Sequence, residues 1–147
     1  MNKKVCTLQF MYNMERFATQ IYLTQCRAFA GSEVKDKLTK ASVNERHHVL
    51  YLEKRIIELN WAQSRLGLLF QLAGILLGFL TMCLGRLFIL KTDIWIEKRA
   101  IRDYGSFMKK LDFDSETDGL LQKIIVDEEK HVKTWQNSIK VLKSKST

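Results

Sequence analysis

Four glutamates and two histidines occupy positions where a plain helical protein would place apolar side chains. Glu45-Arg46-His47-His48 and Glu128-Glu129-Lys130-His131 each set a histidine three residues after a glutamate, so that both side chains share one helix face. The nine glutamates and three histidines would supply roughly 0.2 such pairs by chance. Each pair is preceded by a lone glutamate: Glu15 lies 30 residues before Glu45, and Glu97 lies 31 residues before Glu128. The chain therefore reads as two similar helical hairpins. A buried ionised carboxylate costs several kcal/mol unless it is paired or bound to a cation. Hairpins paired face to face would bring four carboxylates and two imidazoles to one point, and two divalent ions would balance the charge. Oxygen and imidazole donors suit iron or manganese, whereas calcium takes oxygen alone and structural zinc favours thiolate. On this reading His48 serves one ion and His131 the other, with Glu15, Glu45, Glu97 and Glu128 as terminal or bridging ligands. The plainer alternative is a set of solvated salt bridges. His47, one step off the stripe, reads as a surface residue.

The elements that must position these groups follow from helical periodicity. Leu8, Met11, Tyr12, Glu15, Ala18, Thr19, Tyr22, Cys26 and Phe29 form one stripe, which ends at Gly31-Ser32. Leu38, Ala41, Glu45, His48, Leu52, Ile56 and Leu59 form the second. The third runs through Ile94, Glu97, Ile101, Tyr104, Met108 and Leu111 to a loop at Asp112-Phe113-Asp114-Ser115. The fourth reads Leu121, Ile124, Glu128, His131, Trp135, Ile139 and Leu142, with Ser115 or Thr117 as the expected N-cap. Four amphipathic helices of roughly 25 residues predict an all-α four-helix bundle, and four carboxylates with two imidazoles are the ligand set of its ferritin-like form. Lys143 to Thr147 read as a frayed polar end.

Between the second and third stripes, Leu66 to Gly85 contains only Gln71 and Thr81 as polar side chains and is flanked by Arg65 and Arg86. Twenty such residues are long enough to span a bilayer. A single crossing would put Glu15, Glu45 and His48 on one side and Glu97, Glu128 and His131 on the other, where they could not share ions. The stretch is therefore expected to be a long apolar helical crossover, residues 66–90, travelling the length of the bundle with its outer face on lipid. Gly67, Gly74, Gly78 and Gly85 fall near one line of a helix, as either a flat face for close helix packing or a smooth surface for a membrane or a long apolar ligand.

The 147 residues favour a single domain, 1–147. With 46% hydrophobic residues, 27% charged, no proline and 7 glycines, the composition excludes a disordered tail and argues against a many-stranded sheet. A net charge of +8 suits an anionic phospholipid or nucleic-acid neighbour, but no nucleic-acid motif accompanies it, and the expectation is no nucleic acid. Cys6, Cys26 and Cys83 show no CxxC spacing, which points away from a disulfide framework and toward a reducing compartment. The first residues lack the apolar core of a secretory signal.

The residues resemble the demethoxyubiquinone hydroxylases, ferritin-like di-iron monooxygenases of ubiquinone biosynthesis, over nearly the whole chain. Glu15-Arg16-Phe17-Ala18 with Ile21-Tyr22 and Gln25 is similar to that family's first-helix motif, and Asn44-Glu45-Arg46-His47-His48 to its first Glu-x-x-His. The glycine-spaced stretch from Leu66 resembles its membrane-associated segment. Ile96-Glu97 with Tyr104 resembles its third-helix motif, and Asp127-Glu128-Glu129-Lys130-His131 its second Glu-x-x-His. Tyr12-Asn13-Met14 replaces the family's Asp-His-x-Gly run, and Asp103 stands where it usually has histidine.

The resemblance implies two iron ions, with manganese as the lesser candidate, and O2 as co-substrate. The substrate would be a polyprenylated demethoxy-quinone or quinol, and a reduced quinol or an NADH-derived supply would provide electrons. Tyr104 is the expected catalytic residue, giving a hydrogen bond or relaying an electron near the metals, against a packed core tyrosine. The implied location is a peripheral, anionic membrane surface: the cytoplasmic face of a bacterial inner membrane or the matrix side of the mitochondrial one. A second copy of the chain or other quinone-biosynthesis proteins are the implied protein partners. The competing expectations are a ferroxidase or manganese catalase-like protein and a non-enzymatic membrane-associated bundle.

Overall fold

The computed structural model describes residues 2–144 and contains five α-helices and no strand among them. They are α1 (Lys3–Gln25), α2 (Glu33–Glu58), α3 (Gly67–Cys83), α4 (Arg86–Lys110) and α5 (Ser115–Ser144), with a 3-10 turn at Cys26–Phe29. The polar end runs differently from expectation, since Lys143 and Ser144 continue α5; Lys145 to Thr147 lie outside the described residues.

Asn2 opens α1 by accepting a hydrogen bond from the Lys4 backbone N–H at 3.1 Å. The reversal into α2 passes through Gly31 at φ 74, a left-handed conformation that favours glycine. The start of α5 corrects the expected cap. Asp114, rather than Ser115 or Thr117, accepts the Thr117 backbone N–H at 2.9 Å. Its carboxylate suits the positive helix end and also holds Arg55 of α2 at 2.7 Å, so one residue caps α5 and ties it to α2. The Thr117 N–H, together with the Arg55 guanidinium, holds the Asp114 carboxyl below the usual carboxylate range against the opposing effect of burial.

The helices form two packed pairs, α1 with α2 and α4 with α5, while α3 lies on α1. Contacts along α3 fix its direction. Gly67 faces Arg16, Gly74 faces Phe17 and Gln20, Gly78 faces Ile21 and Thr24, and Thr81 meets Gln25, so α3 runs parallel to α1. The glycines are a packing face: a Cβ at Gly74 would sit 2.4 Å from the Phe17 carbonyl oxygen, and one at Gly78 would sit 2.7 Å from Thr24 Cβ. Gly85 is not on that face. It lies beyond the helix at φ 93, where a Cβ would meet nothing within 4 Å, and makes the bend into α4. The apolar stretch therefore breaks at Leu84-Gly85, and residues 86–90 belong to α4. No helix among the described residues is long and apolar enough to cross a membrane.

Two apolar clusters fill the interior. One gathers Ile21, Phe29, Leu38, Ile89, Leu90 and Trp135, and the other gathers Leu8, Met11, Leu52, Ile56, Leu121 and Ile124. The residue numbers on each helix place the four central glutamates between these clusters, so a polar layer is sealed at both ends by apolar ones.

Candidate metal centre

α1 brings Glu15 into this layer, α2 brings Glu45 and His48, α4 brings Glu97, and α5 brings Glu128 and His131. All six are buried, the most exposed being His131 at 9%. Their donor atoms form two overlapping groups, Glu15, Glu45, His48 and Glu128 in one and Glu45, Glu97, Glu128 and His131 in the other. Within each group the atoms lie within 4.8 Å of one another.

The overlap distinguishes the glutamates. Glu45 turns Oε2 to His48 Nδ1 at 3.1 Å and Oε1 to His131 Nδ1 at 2.9 Å. Glu128 does the same with Oε1 at 3.2 Å from His48 Nδ1 and Oε2 at 3.0 Å from His131 Nδ1. Glu15 approaches only His48, at 3.6 Å, and Glu97 only His131, at 3.1 Å. Two carboxylates thus face both halves of the layer, and two face one half each.

This donor set fits a pair of divalent cations. Each Nδ1 is surrounded by three carboxylates, although an imidazole nitrogen offers one proton at most. Glu45 Oε1 and Glu128 Oε1 are buried and receive no hydrogen bond. Without cations, burial and the neighbouring Glu45 and Glu128 charges push Glu15 well above the usual carboxylate range, opposed by His48. Burial and Glu128 do the same to Glu97, opposed by His131. Burial works against charge on both histidines, but the carboxylates around them raise both above the ordinary imidazole value. Glu45, pushed up by burial, is carried below its usual range by the protonated His131 and His48 beside it. Cations would replace those protons, since carboxylates and neutral imidazole are the ligating forms.

Two tyrosines lock the outer glutamates. Tyr104 of α4 donates to Glu15 Oε1 of α1, and Tyr22 of α1 donates to Glu97 Oε1 of α4. Trp135 Nε1 lies 3.4 Å from the Tyr22 hydroxyl. Burial, followed by the Glu97 charge, raises the Tyr22 phenol well above its ordinary value and keeps it a donor. Sequence reasoning assigns a site role to Tyr104 and none to Tyr22, although each lies seven residues after its own helix's glutamate. It also misses Asp127, whose Oδ2 lies 3.3 Å from His48 Nε2, where a carboxylate orients a metal-binding imidazole. Asn44 Nδ2 lies 3.4 Å from the same nitrogen. His47 is exposed beside Tyr51.

A cavity of about 260 Å³ opens between α1 and α4 and reaches Glu15, Glu97, Glu128 and Tyr104. Its walls are mostly apolar, with Phe10, Phe17, Leu77 and Trp95 among them, and the Arg99–Asp103 ion pair at 2.8 Å also lines it.

A family model described as ubiquinone biosynthesis protein COQ7 matches residues 13–138, which include all six centre residues and both tyrosines. No curated protein matches the chain. The chain belongs to this ubiquinone biosynthesis family.

Proposed function

We propose that this member of the COQ7 family is a di-iron monooxygenase that hydroxylates the ring of a polyprenylated demethoxy-quinone or quinol with O2. In this reading α1, α2, α4 and α5 form a ferritin-like bundle, α3 is its apolar crossover, and residues 1–147 make one domain. The supporting observation is the pair of buried four-residue groups that share Glu45 and Glu128 in a chain matched by a ubiquinone biosynthesis model.

Glu15, Glu45, His48, Glu97, Glu128 and His131 would hold two ferrous ions, which when bound supply the activation of O2. The chain's own contribution is positioning. Tyr104 and Tyr22 fix the rotamers of Glu15 and Glu97, and Asp127 fixes the His48 ring so that Nδ1 faces inward. The cavity between α1 and α4 presents mostly apolar walls to a substituted ring. Tyr104 lines that cavity and donates its hydroxyl proton to Glu15 on the cavity floor, and this contact beside the reacting ring is its role.

The tail has a path to lipid. Leu77 of α3 lines the cavity, and the outward face of α3 exposes Leu68 at 64%, Leu72 at 54%, Leu76 at 62% and Leu80 at 54%. A peripheral membrane position follows, with the apolar face of α3 in the outer layer of an anionic leaflet.

Purified protein should contain about two irons per chain, and chelation should lower its melting temperature, since a ligand that binds the folded state stabilises it. A strain lacking the gene should accumulate the unhydroxylated quinone precursor. Normal quinone in that strain would overturn the substrate, and iron oxidation or peroxide breakdown without quinone turnover would move the chain to another dinuclear carboxylate activity.

A further inference from the structure

A second cavity, of about 430 Å³, lies on the other side of α1, between α1, α2 and the start of α3. Its walls include Arg16, Gln20, Ser42, Arg46 and Gln71. Arg16 follows Glu15 and Arg46 follows Glu45, so both guanidiniums leave their helices just past the glutamates of the centre while the carboxylates turn inward. Arg55 and Arg99 each hold a carboxylate, but Arg16 and Arg46 have none within ion-pair distance among the described residues. The one carboxylate on the wall, Glu53, accepts the Gln63 amide.

Arg16 is held in place without being neutralised. Its Nη1 donates to the Tyr12 hydroxyl at 2.7 Å, and the guanidinium lies 5.4 Å from the centroid of the Tyr12 ring. Its Nε is buried and has no acceptor. The absence of a side chain at Gly67 leaves room for it, because a Cβ there would meet Nη1 at 2.7 Å. Gly67 is the first residue of α3, so the positive end of that helix adds to the same field. Two unneutralised guanidiniums in one cavity leave an anion's place, and the neutral amides and hydroxyls around them can complete its hydrogen bonds.

The neighbourhood says which anion. Leu23, Val43 and Leu50 on the wall are exposed apolar residues, and α3 carries its leucine face alongside. We propose that this cavity binds the phosphate of an anionic phospholipid headgroup, held by Arg16 and Arg46 while the acyl chains run along α3. The proposal rests on the membrane reading of α3 given above, and the two can fail separately.

Vesicle binding tests it, using the full chain on phosphatidylcholine vesicles with and without phosphatidylglycerol. R16Q/R46Q should lose about tenfold or more in affinity for the anionic vesicles, and R46Q alone a few-fold. Arg46 is exposed, so R46Q reads the site without disturbing the Arg16–Tyr12 packing. The control is R65Q/R86Q, which removes the same charge from the two flanks of α3 and should cost clearly less. Equal losses from the two double variants would overturn the headgroup site in favour of diffuse charge. Inorganic phosphate is the second arm: if it raises the melting temperature of the native chain but not of R46Q, while R46Q binds vesicles as the native chain does, the site takes free phosphate and the lipid assignment falls. L72Q/L76Q reads the premise, because binding to phosphatidylcholine alone that is unchanged by it would refute the docking of α3 whatever the arginines do.

Discussion

The pair α1–α2 and the pair α4–α5 carry the same chemistry in the same order. Glu15 and Tyr22 are matched by Glu97 and Tyr104, and Glu45 with His48 by Glu128 with His131. Each tyrosine bonds the glutamate of the opposite pair, so neither half is complete alone. The surroundings of the two halves differ. Where α2 has Asn44 before its Glu-x-x-His, α5 has Asp127; where α1 has Met11 one turn before its glutamate, α4 has Asp93. Only α1 is covered along its length by α3 through the glycine face. Six residues and two tyrosines repeat between the halves, while the groups beside them differ and give each half its own electrostatics.

Removing one glutamate at a time breaks the comparison most strongly. Glu45 and Glu128 face both halves, so E45A or E128A should take iron from about two per chain to nearly none. Glu15 and Glu97 face one half each, so E15A or E97A should leave about one. Metal analysis of the four variants decides it: an E45A protein holding as much iron as E15A would show that the shared arrangement is wrong. Loss of the chelator-sensitive part of the melting temperature should follow the same order.

A smaller effect separates the two residues that approach His48 Nε2. D127N removes a charged acceptor 3.3 Å from that nitrogen and should weaken metal binding about 10- to 100-fold. N44A removes a neutral contact at 3.4 Å and should cost only a few-fold. Equal costs would mean that the halves are more alike than the asymmetry suggests.

The six centre residues were legible because a carboxylate in the middle of an apolar stripe is costly, and the same costly pattern occurs twice. Spacing could not say which glutamates are shared, because sharing depends on the rotamer each carboxylate adopts once four helices meet. Tyr22 was within reach, since doubling the glutamate pattern also doubles the tyrosine seven residues on. Asp127 meets His48 across 79 residues of chain, and only the packing of α5 on α2 creates that pair. The apolar run hid the boundary at Gly85, because hydropathy continues through Leu90 while the backbone has already turned. Periodicity therefore aligned four glycines where the helix uses three.

Asp93 marks the subtlest difference between the halves. It is fully buried, neither carboxyl oxygen has a hydrogen-bond partner, and the neighbouring Gln25 Oε1 also lacks one. The Gln25 amide nitrogen is engaged by Thr81 Oγ1 of α3 at 3.1 Å. Burial pushes the Asp93 carboxyl well above the usual range, with the Gln25 side chain working the other way. A neutral Asp93 carries a proton that the unpartnered Gln25 Oε1 can accept, whereas a charged one has burial against it and only the Gln25 side chain in its favour. The sign of the pH dependence follows. Below about pH 3.9 the unfolded and folded chains both hold this proton, and as pH rises above that value the unfolded chain releases it first, so stability is lost until the folded carboxyl also titrates. Asparagine keeps the shape and the donor and has no proton to release. D93N should therefore match the native chain near pH 4 and exceed it by about 1 kcal/mol near neutral pH, measured by urea unfolding across that range. A D93N advantage that stays constant with pH would mean that the proton is not involved and that Asp93 differs from Met11 only in shape.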